Sequence, residues 1–223
     1  MTRQKRIAEA YTGEYASGKS EVAVNRALDL AKEGRRVTLV DLDIVEPCYT
    51  LRPLKKELSA RGLTVLAWET GETAGLGEAG SVLRPENRWA LKRPGDVILD
   101  VGYGVEGVKT LNLLEGVREE PALQVLLVVN ITRPLTATAE DIVAAVREMG
   151  WVDGLINNTH LGDETTVEVV QEGARVVTEA ARQAGLPVVA TTAVRELAFQ
   201  IGERDCCGNP VRPIIRYMKG AFW

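Results

Sequence analysis

Short unbroken runs of apolar residues alternate along this chain with longer stretches in which apolar residues recur every three or four positions. The runs predict buried strands, and the spaced stretches predict helices with one covered face. Residues 7–12 form a brief strand candidate that ends in a glycine-rich turn. Residues 21–33 then carry Ala23, Ala27, Leu30 and Ala31 at helical spacing, with Gly34 as a stop. Residues 37–40 predict a strand ending at Asp41, residues 51–61 a helix closed by Gly62, and residues 63–68 another strand. Residues 97–99 read as a strand ending at Asp100, and residues 123–129 are the most apolar strand of all.

Two later helices carry start signals. Thr138-Ala139-Glu140-Asp141 resembles a capping box with Asp in the place of Glu or Gln, and Ile142, Val146 and Met149 follow as its buried face. Thr165-Thr166-Val167-Glu168 is a full capping box, followed by Val169, Val176, Ala180 and Ala184. Residues 152–157 and 188–192 are strand-like. Near-continuous apolar strands alternating with helices predict an α/β fold: a doubly wound, mostly parallel sheet with helices on both faces. One domain over residues 1–223 is expected, interrupted by an irregular insertion at about 69–96. There Gly71, Gly75, Gly77, Gly80, Pro85 and Pro94 replace the periodicity. Connections of that length are commonly lids or binding loops.

Composition narrows the function classes. With 31 Asp+Glu against 27 Lys+Arg the formal charge is −4, so no overall field draws in nucleic acid. Hydrophobic residues at 45% exclude a disordered chain, and no run approaches the roughly 18 apolar residues of a membrane span. The basic start, Met1 to Arg6, lacks the apolar core of a signal peptide. Three cysteines are too few for a secreted disulfide framework, and a cytoplasmic setting is expected.

The chemistry concentrates after the first strand. Gly13-Glu14-Tyr15-Ala16-Ser17-Gly18-Lys19-Ser20 matches G-x-x-x-x-G-K-[ST] in full, between a strand and a helix. In that context main-chain N–H groups and the helix dipole bind phosphate oxygens, Lys19 neutralises the terminal phosphates, and the Ser20 hydroxyl can coordinate Mg²⁺. Gly13 to Ser20 with the adjoining Glu21 are therefore the candidate nucleotide-binding residues. Asp100, at a strand end, is placed to hold the Mg²⁺ through a water. Asp41 and Asp43, one residue apart beyond a buried strand, are costly to bring together without a cation or an attacking water. For Asp41 a capping role is the alternative.

The phosphate loop, the Asp41-Leu42-Asp43 to Pro47 element and the Asp100 strand end resemble the MinD/ParA/Mrp-type P-loop ATPases of the SIMIBI class. That wider group includes the CobQ/CobB proteins, nitrogenase iron protein and dethiobiotin synthetase. The resemblance implies a P-loop NTPase fold with ATP and Mg²⁺ as cofactors. Lys19 and Asp43 become the catalytic pair, Asp43 orienting or activating the attacking water. Ser20, Asp43 and Asp100 become the metal residues, with Asp41 supporting the metal shell. Asn158 would read the adenine ring, with Asn157 as the fallback and residues 191–195 flanking the base. The chain departs from the family at Glu14, where MinD and ParA types carry a lysine that reaches a partner subunit's nucleotide. Either hydrolysis is slow without a trans cation, or a protein partner supplies one, or another arginine does, for which Arg84, Arg88 and Arg133 are candidates by their location in loops.

Three functions are compatible with these residues. The first is a slow ATPase acting as a nucleotide switch or assembly factor, with a protein client or activator and a possible homodimer. The second is an ATP-dependent enzyme of the dethiobiotin synthetase or cobyrinate-amidation kind, with Arg84 and Arg88 clamping a small carboxylate. The third is an ATP-gated metal or iron–sulfur carrier using Cys206 and Cys207, although adjacent thiols are expected to diverge. Cys48 reads as a buried thiol, His160 as a solvated loop residue, and Trp68 and Trp89 as packing for the irregular segment.

Overall fold

A computed structural model describes residues 5–44, 51–68 and 83–218. Eight strands form one sheet: β1 (Ala8–Gly13), β2 (Val37–Leu42), β3 (Thr64–Leu66), β4 (Asp96–Tyr103), β5 (Leu123–Val129), β6 (Gly154–Asn157), β7 (Val188–Val194) and β8 (Val211–Ile214). Their order across the sheet is β3-β2-β4-β1-β5-β6-β7-β8, and every pairing is parallel. Parallel neighbours need crossovers, supplied here by α1 (Lys19–Lys32), α2 (Lys55–Ala60), α3 (Gly104–Lys109), α4 (Ala139–Met149), α5 (Val167–Ala184) and α6 (Arg195–Ile201).

Alternate residues of each strand feed two separate cores, as the period of two requires. On one face Val40, Leu99, Val125, Leu127 and Leu155 pack under Ile142 and Met149 of α4 and Val177 and Ala180 of α5. On the other, Tyr11, Leu39, Ile98, Leu126 and Ile156 pack under Val22, Ala27 and Leu30 of α1 and Leu58 of α2. Burial on both faces explains why the central strands read as unbroken apolar runs. Among the described residues no helix is long and apolar enough to cross a membrane.

Local signals hold with instructive shifts. Thr138 caps α4 in a reciprocal box: its hydroxyl accepts from the Asp141 amide at 3.2 Å, and the Asp141 carboxylate accepts from the Thr138 amide at 3.1 Å. The box expected at Thr165 fails by one residue. Thr166 is the cap, accepting from the Val169 amide, so the position facing back holds valine instead of an acid. Thr165 is spent on the preceding turn, where its hydroxyl donates to the Gly162 carbonyl. Strand β4 continues past Asp100 to Tyr103, so Asp100 lies inside the strand and not at its end. Strand β8 had no sequence expectation.

The irregular insertion divides. Residues 69–82 lie outside the described residues, as do Glu46, Pro47 and Cys48. Residues 85–92 instead form a 3₁₀ helix (Pro85–Lys92) that buries Asn87, Ala90 and Leu91. Trp89 does not pack it down as expected; it is 52% exposed.

Candidate functional site

The carboxyl ends of the strands carry the buried polar residues, and the loop after β1 sits at their centre. A side chain at Gly13 would lie 2.4 Å from the Ser17 hydroxyl and 2.5 Å from the Val128 carbonyl oxygen, so only glycine fits. Ala16 and Gly18 take positive φ of 56° and 82°, which turns the chain sharply into α1. No side chain caps that helix, so its first-turn amides are left facing the loop. Such amides attract anions.

Lys19, Ser20, Asp41, Asp43 and Asp100 are all buried around this loop. Parallel register places Asp41 of β2 beside Asp100 of β4. The Asp43 amide donates to Asp41 Oδ1 at 3.1 Å, Asn87 Nδ2 donates to the Asp41 carbonyl at 2.8 Å, and Arg52 Nε lies 3.9 Å from Asp41 Oδ2. Lys19 Nζ pairs with Asp43 Oδ2 at 3.3 Å. Asp100 is fully buried, and neither of its carboxylate oxygens makes a well-formed hydrogen bond. Burial, reinforced by Asp41 and Asp43, drives its carboxyl well above the ordinary range against the pull of Lys19 and the Ser20 hydroxyl.

A buried carboxylate without a partner is expensive unless something neutralises it. Among the described residues, no three His, Cys, Asp or Glu side chains gather into a self-sufficient metal site. Magnesium does not need one, because it keeps waters and takes one or two protein oxygens alongside phosphate oxygens. Ser20 and Asp100 fit that requirement.

Glu14 stands half-buried at the edge of the loop. Its carboxyl is raised by burial and by Glu148, with Lys19 opposing. Tyr15 is exposed and meets Tyr103 edge-on, with centroids 5.9 Å apart. Arg133 is the loop arginine that reaches the site, its Nε donating to the Ala16 carbonyl at 3.2 Å. Arg84 lies over the Trp68 ring and donates to the Ala67 carbonyl, while Arg88 pairs with Glu115.

Beyond the loop the polar groups are neutral and paired. Asn158 Nδ2 donates to the Ser17 carbonyl at 2.8 Å, and its Oδ1 accepts from the Thr192 hydroxyl at 2.6 Å. Asn157 is likewise engaged with the Val170 carbonyl, the Thr191 hydroxyl and the Thr159 amide. Asn158 thus braces the phosphate loop against β7, while Asn157 ties the end of β6 to β7 and to the first turn of α5. A side chain at Gly18 would strike Asn158 Nδ2 at 2.3 Å, so the second loop glycine lets this brace close.

Beside the brace is a cavity of about 500 Å³, solvent at its mouth included, lined by Gly18, His160, Val170, Thr192, Val194 and Arg216 among others. His160 is no solvated loop residue. It is largely buried with its pKa lowered to about 4, by burial first and then by Arg133 and Arg216. Its Nδ1 accepts from the Gly162 amide at 3.4 Å, which assigns the proton to Nε2, the nitrogen facing Gly18. Glu21 borders the cavity, but its carboxylate is taken by the backbone amides of Tyr217 and Met218.

No protein-family model and no curated protein matches this sequence. Solved structures do. The signal recognition particle receptor FtsY from Elizabethkingia anophelis, in complex with GDP, is 17% identical over 88% of this chain and 60% of its own, with a TM-score of 0.57. FlhF complexed with GTP/Mg²⁺ is 14% identical over 84% of this chain and 66% of its own, with a TM-score of 0.52. A nucleotide-binding protein in complex with ADP from Archaeoglobus fulgidus is 16% identical over 86% and 84%, with a TM-score of 0.51. The chain has the P-loop NTPase fold. The chain thus spans less than two thirds of the FtsY and FlhF chains. At such identities the likeness carries the fold alone and singles out no branch of it, the MinD/ParA/Mrp branch included.

Within this P-loop NTPase fold the remaining candidates separate by position. Cys206 and Cys207 are exposed on the loop before β8, with sulfurs 3.9 Å apart, so the thiols do not diverge as expected. Sequence reasoning missed the brace and the neutral histidine. The adjacent Asn157-Asn158-Thr159-His160 on a strand end was the available signal, since four hydrogen-bonding side chains in a row need partners when buried.

Proposed function

We propose that this protein binds Mg²⁺-ATP in the loop after β1 and hydrolyses it slowly, acting as a nucleotide switch on a protein client. The observation that carries the reading is Asp100: a fully buried carboxylate whose oxygens make no well-formed hydrogen bond, beside Ser20 and Lys19, next to uncapped helix amides. Magnesium bound there would neutralise charge on the phosphates. Lys19 would turn from Asp43 to the terminal phosphate, and the Asp43 carboxylate oxygen that faced it would accept a hydrogen bond from a water. Binding thereby prepares hydrolysis, and the Lys19–Asp43 pair is the element that changes state.

Adenine suits the cavity better than guanine. Guanine presents two N–H donors, N1 and N2, on its Watson–Crick edge and calls for a free carboxylate, whereas adenine presents one N–H donor beside a ring-nitrogen acceptor. Both bases carry acceptors for the donors of the lining, so the state of its acid decides. The described lining supplies donors, His160 Nε2–H and the Arg216 guanidinium, and its one acid, Glu21, is already occupied by two amides. Turnover is slow because Glu14 occupies the position from which a cation would act. Activation then depends on a cation from the client or from a second copy of this chain.

Titration calorimetry with ATP and GTP, with and without Mg²⁺, tests the reading. Expected are Mg²⁺-dependent ATP binding, at least about tenfold weaker GTP binding and loss of both in Lys19→Ala. Equal affinity for the two nucleotides would remove the adenine assignment, and no heat from either would remove the function.

A further inference from the structure

The segment that follows β8 is held in a way the phosphate site does not explain. Asn25 of α1 grips Ile215 at both ends of its amide: Nδ2 donates to the Ile215 carbonyl at 2.8 Å, and Oδ1 accepts from the Ile215 amide at 2.8 Å. One turn earlier on the same helix face, the buried Glu21 carboxylate accepts from the amides of Tyr217 and Met218. Arg61 holds Tyr217 from the side, donating to its hydroxyl at 2.8 Å and lying 5.0 Å from the ring centroid. Two buried polar side chains on the helix that opens the phosphate loop are thus committed to a short run of irregular chain.

Arg216 lies between these clamps and faces the other way. Its guanidinium pairs with Asp163, in the 3₁₀ turn Gly162–Glu164 that follows His160. Gly162 and Arg216 both line the cavity beside Gly18, and Ile214 completes that side. The pair therefore joins two rims of one opening. Its exposure is lopsided, with the Asp163 side chain 91% accessible and that of Arg216 33%. An ion pair this wet is worth little, which suits a contact that must open and close.

We propose that Ile214 and Arg216 form the outer wall of the nucleobase cavity, on a segment clamped to α1 by Glu21 and Asn25, and that Arg216 with Asp163 is the gate through which the nucleotide leaves. The inference rests on the nucleotide-binding reading above and assigns the exit side of that site. Glu21 is then a positioning residue for the wall, not a contact of the phosphates.

Two measurements test it. In stopped-flow chase experiments with a fluorescent N-methylanthraniloyl-ADP, Asp163→Asn and Arg216→Ala should each release nucleotide about two- to fivefold faster, the range an exposed pair can supply. The charge-swapped double variant, Asp163→Arg with Arg216→Asp, should return within about twofold of the parent, which a merely structural role would not produce. In nucleotide-free protein, hydrogen exchange at the Tyr217 and Met218 amides should be slow, and at least about tenfold faster in Glu21→Ala, in line with losing hydrogen bonds to a charged group. Parental release rates in both single variants would overturn the gate. Fast exchange at Tyr217 and Met218 in the parent would overturn the clamp. Failure of the parent to bind the fluorescent nucleotide would instead remove the function reading, and the exchange result would still decide whether the wall is clamped.

Discussion

The two halves of the strand-end surface are built to opposite rules. At the ends of β1, β2 and β4 the buried groups are charged: Lys19 and Asp43 are held by a 3.3 Å ion pair, and Asp100 is left without a well-formed hydrogen bond. At the ends of β6 and β7 the strand-end side chains are neutral, and Asn157, Asn158, Thr191 and Thr192 bond to one another, to backbone or, at Thr191, to the buried Asp205 carboxylate. The first half is unstable by construction and waits for a ligand. The second is finished before any ligand arrives and holds the loop in shape. Preorganisation and reactivity are thus given to different strands of one sheet.

Asp100→Asn should sharpen the contrast most. It should cut Mg²⁺-dependent turnover about 100-fold or more, as loss of a metal-positioning carboxylate does. The same change should raise the melting temperature of the nucleotide-free protein, because it removes a buried group that resists its charge. The sign of the pH effect follows. The folded Asp100 carboxyl is raised above its unfolded value, so the unfolded chain releases that proton first. Nucleotide-free protein should therefore lose stability as pH rises from the ordinary aspartate range towards the folded value, and Asp100→Asn should lack that slope. Thermal melts across pH decide this, and a destabilised Asp100→Asn would break the comparison.

Asn158→Ala should act in the opposite sense. It strands the Ser17 carbonyl and leaves the Thr192 hydroxyl with the Asn157 carbonyl, costing about 1–3 kcal/mol on denaturant unfolding, with nucleotide affinity falling as the loop loosens. A loss below about 1 kcal/mol would mean that the brace is not preformed.

The smallest effect at neutral pH belongs to His160. Its folded pKa of about 4 lies below the ordinary 6.5, so the unfolded chain binds the extra proton as pH falls through that window. Stability should be fully kept above about pH 6.5 and decline by about 1–3 kcal/mol towards pH 4, a slope that His160→Gln removes. An NMR titration placing the imidazole near 6.5 would return it to solvent.

Much of the phosphate half was legible because it is local. Gly13 to Ser20 is contiguous, and Asp41 and Asp100 end runs whose apolar character announces buried parallel strands. The neutral half was not, because its partners are chosen by strand order: Asn158 meets Ser17 across 141 positions, and Glu21 meets Tyr217 across 196. Nothing in the residues around Asn158 says which backbone carbonyl will stand opposite. The capping box placed at Thr165 and realised at Thr166 shows the milder failure, where two adjacent threonines compete and the preceding turn takes one.

The place of β1 in the sheet has a consequence for biosynthesis. Its neighbours are β4 and β5, and Val97, in register with Ala8, follows 89 residues later. At about 5–20 residues per second the ribosome needs roughly 4–18 s to deliver that neighbour, and longer for β5. Through that interval the opening strand and its glycine turn have no sheet to join. The nascent polypeptide must be shielded or kept from self-association until more than half of it has emerged.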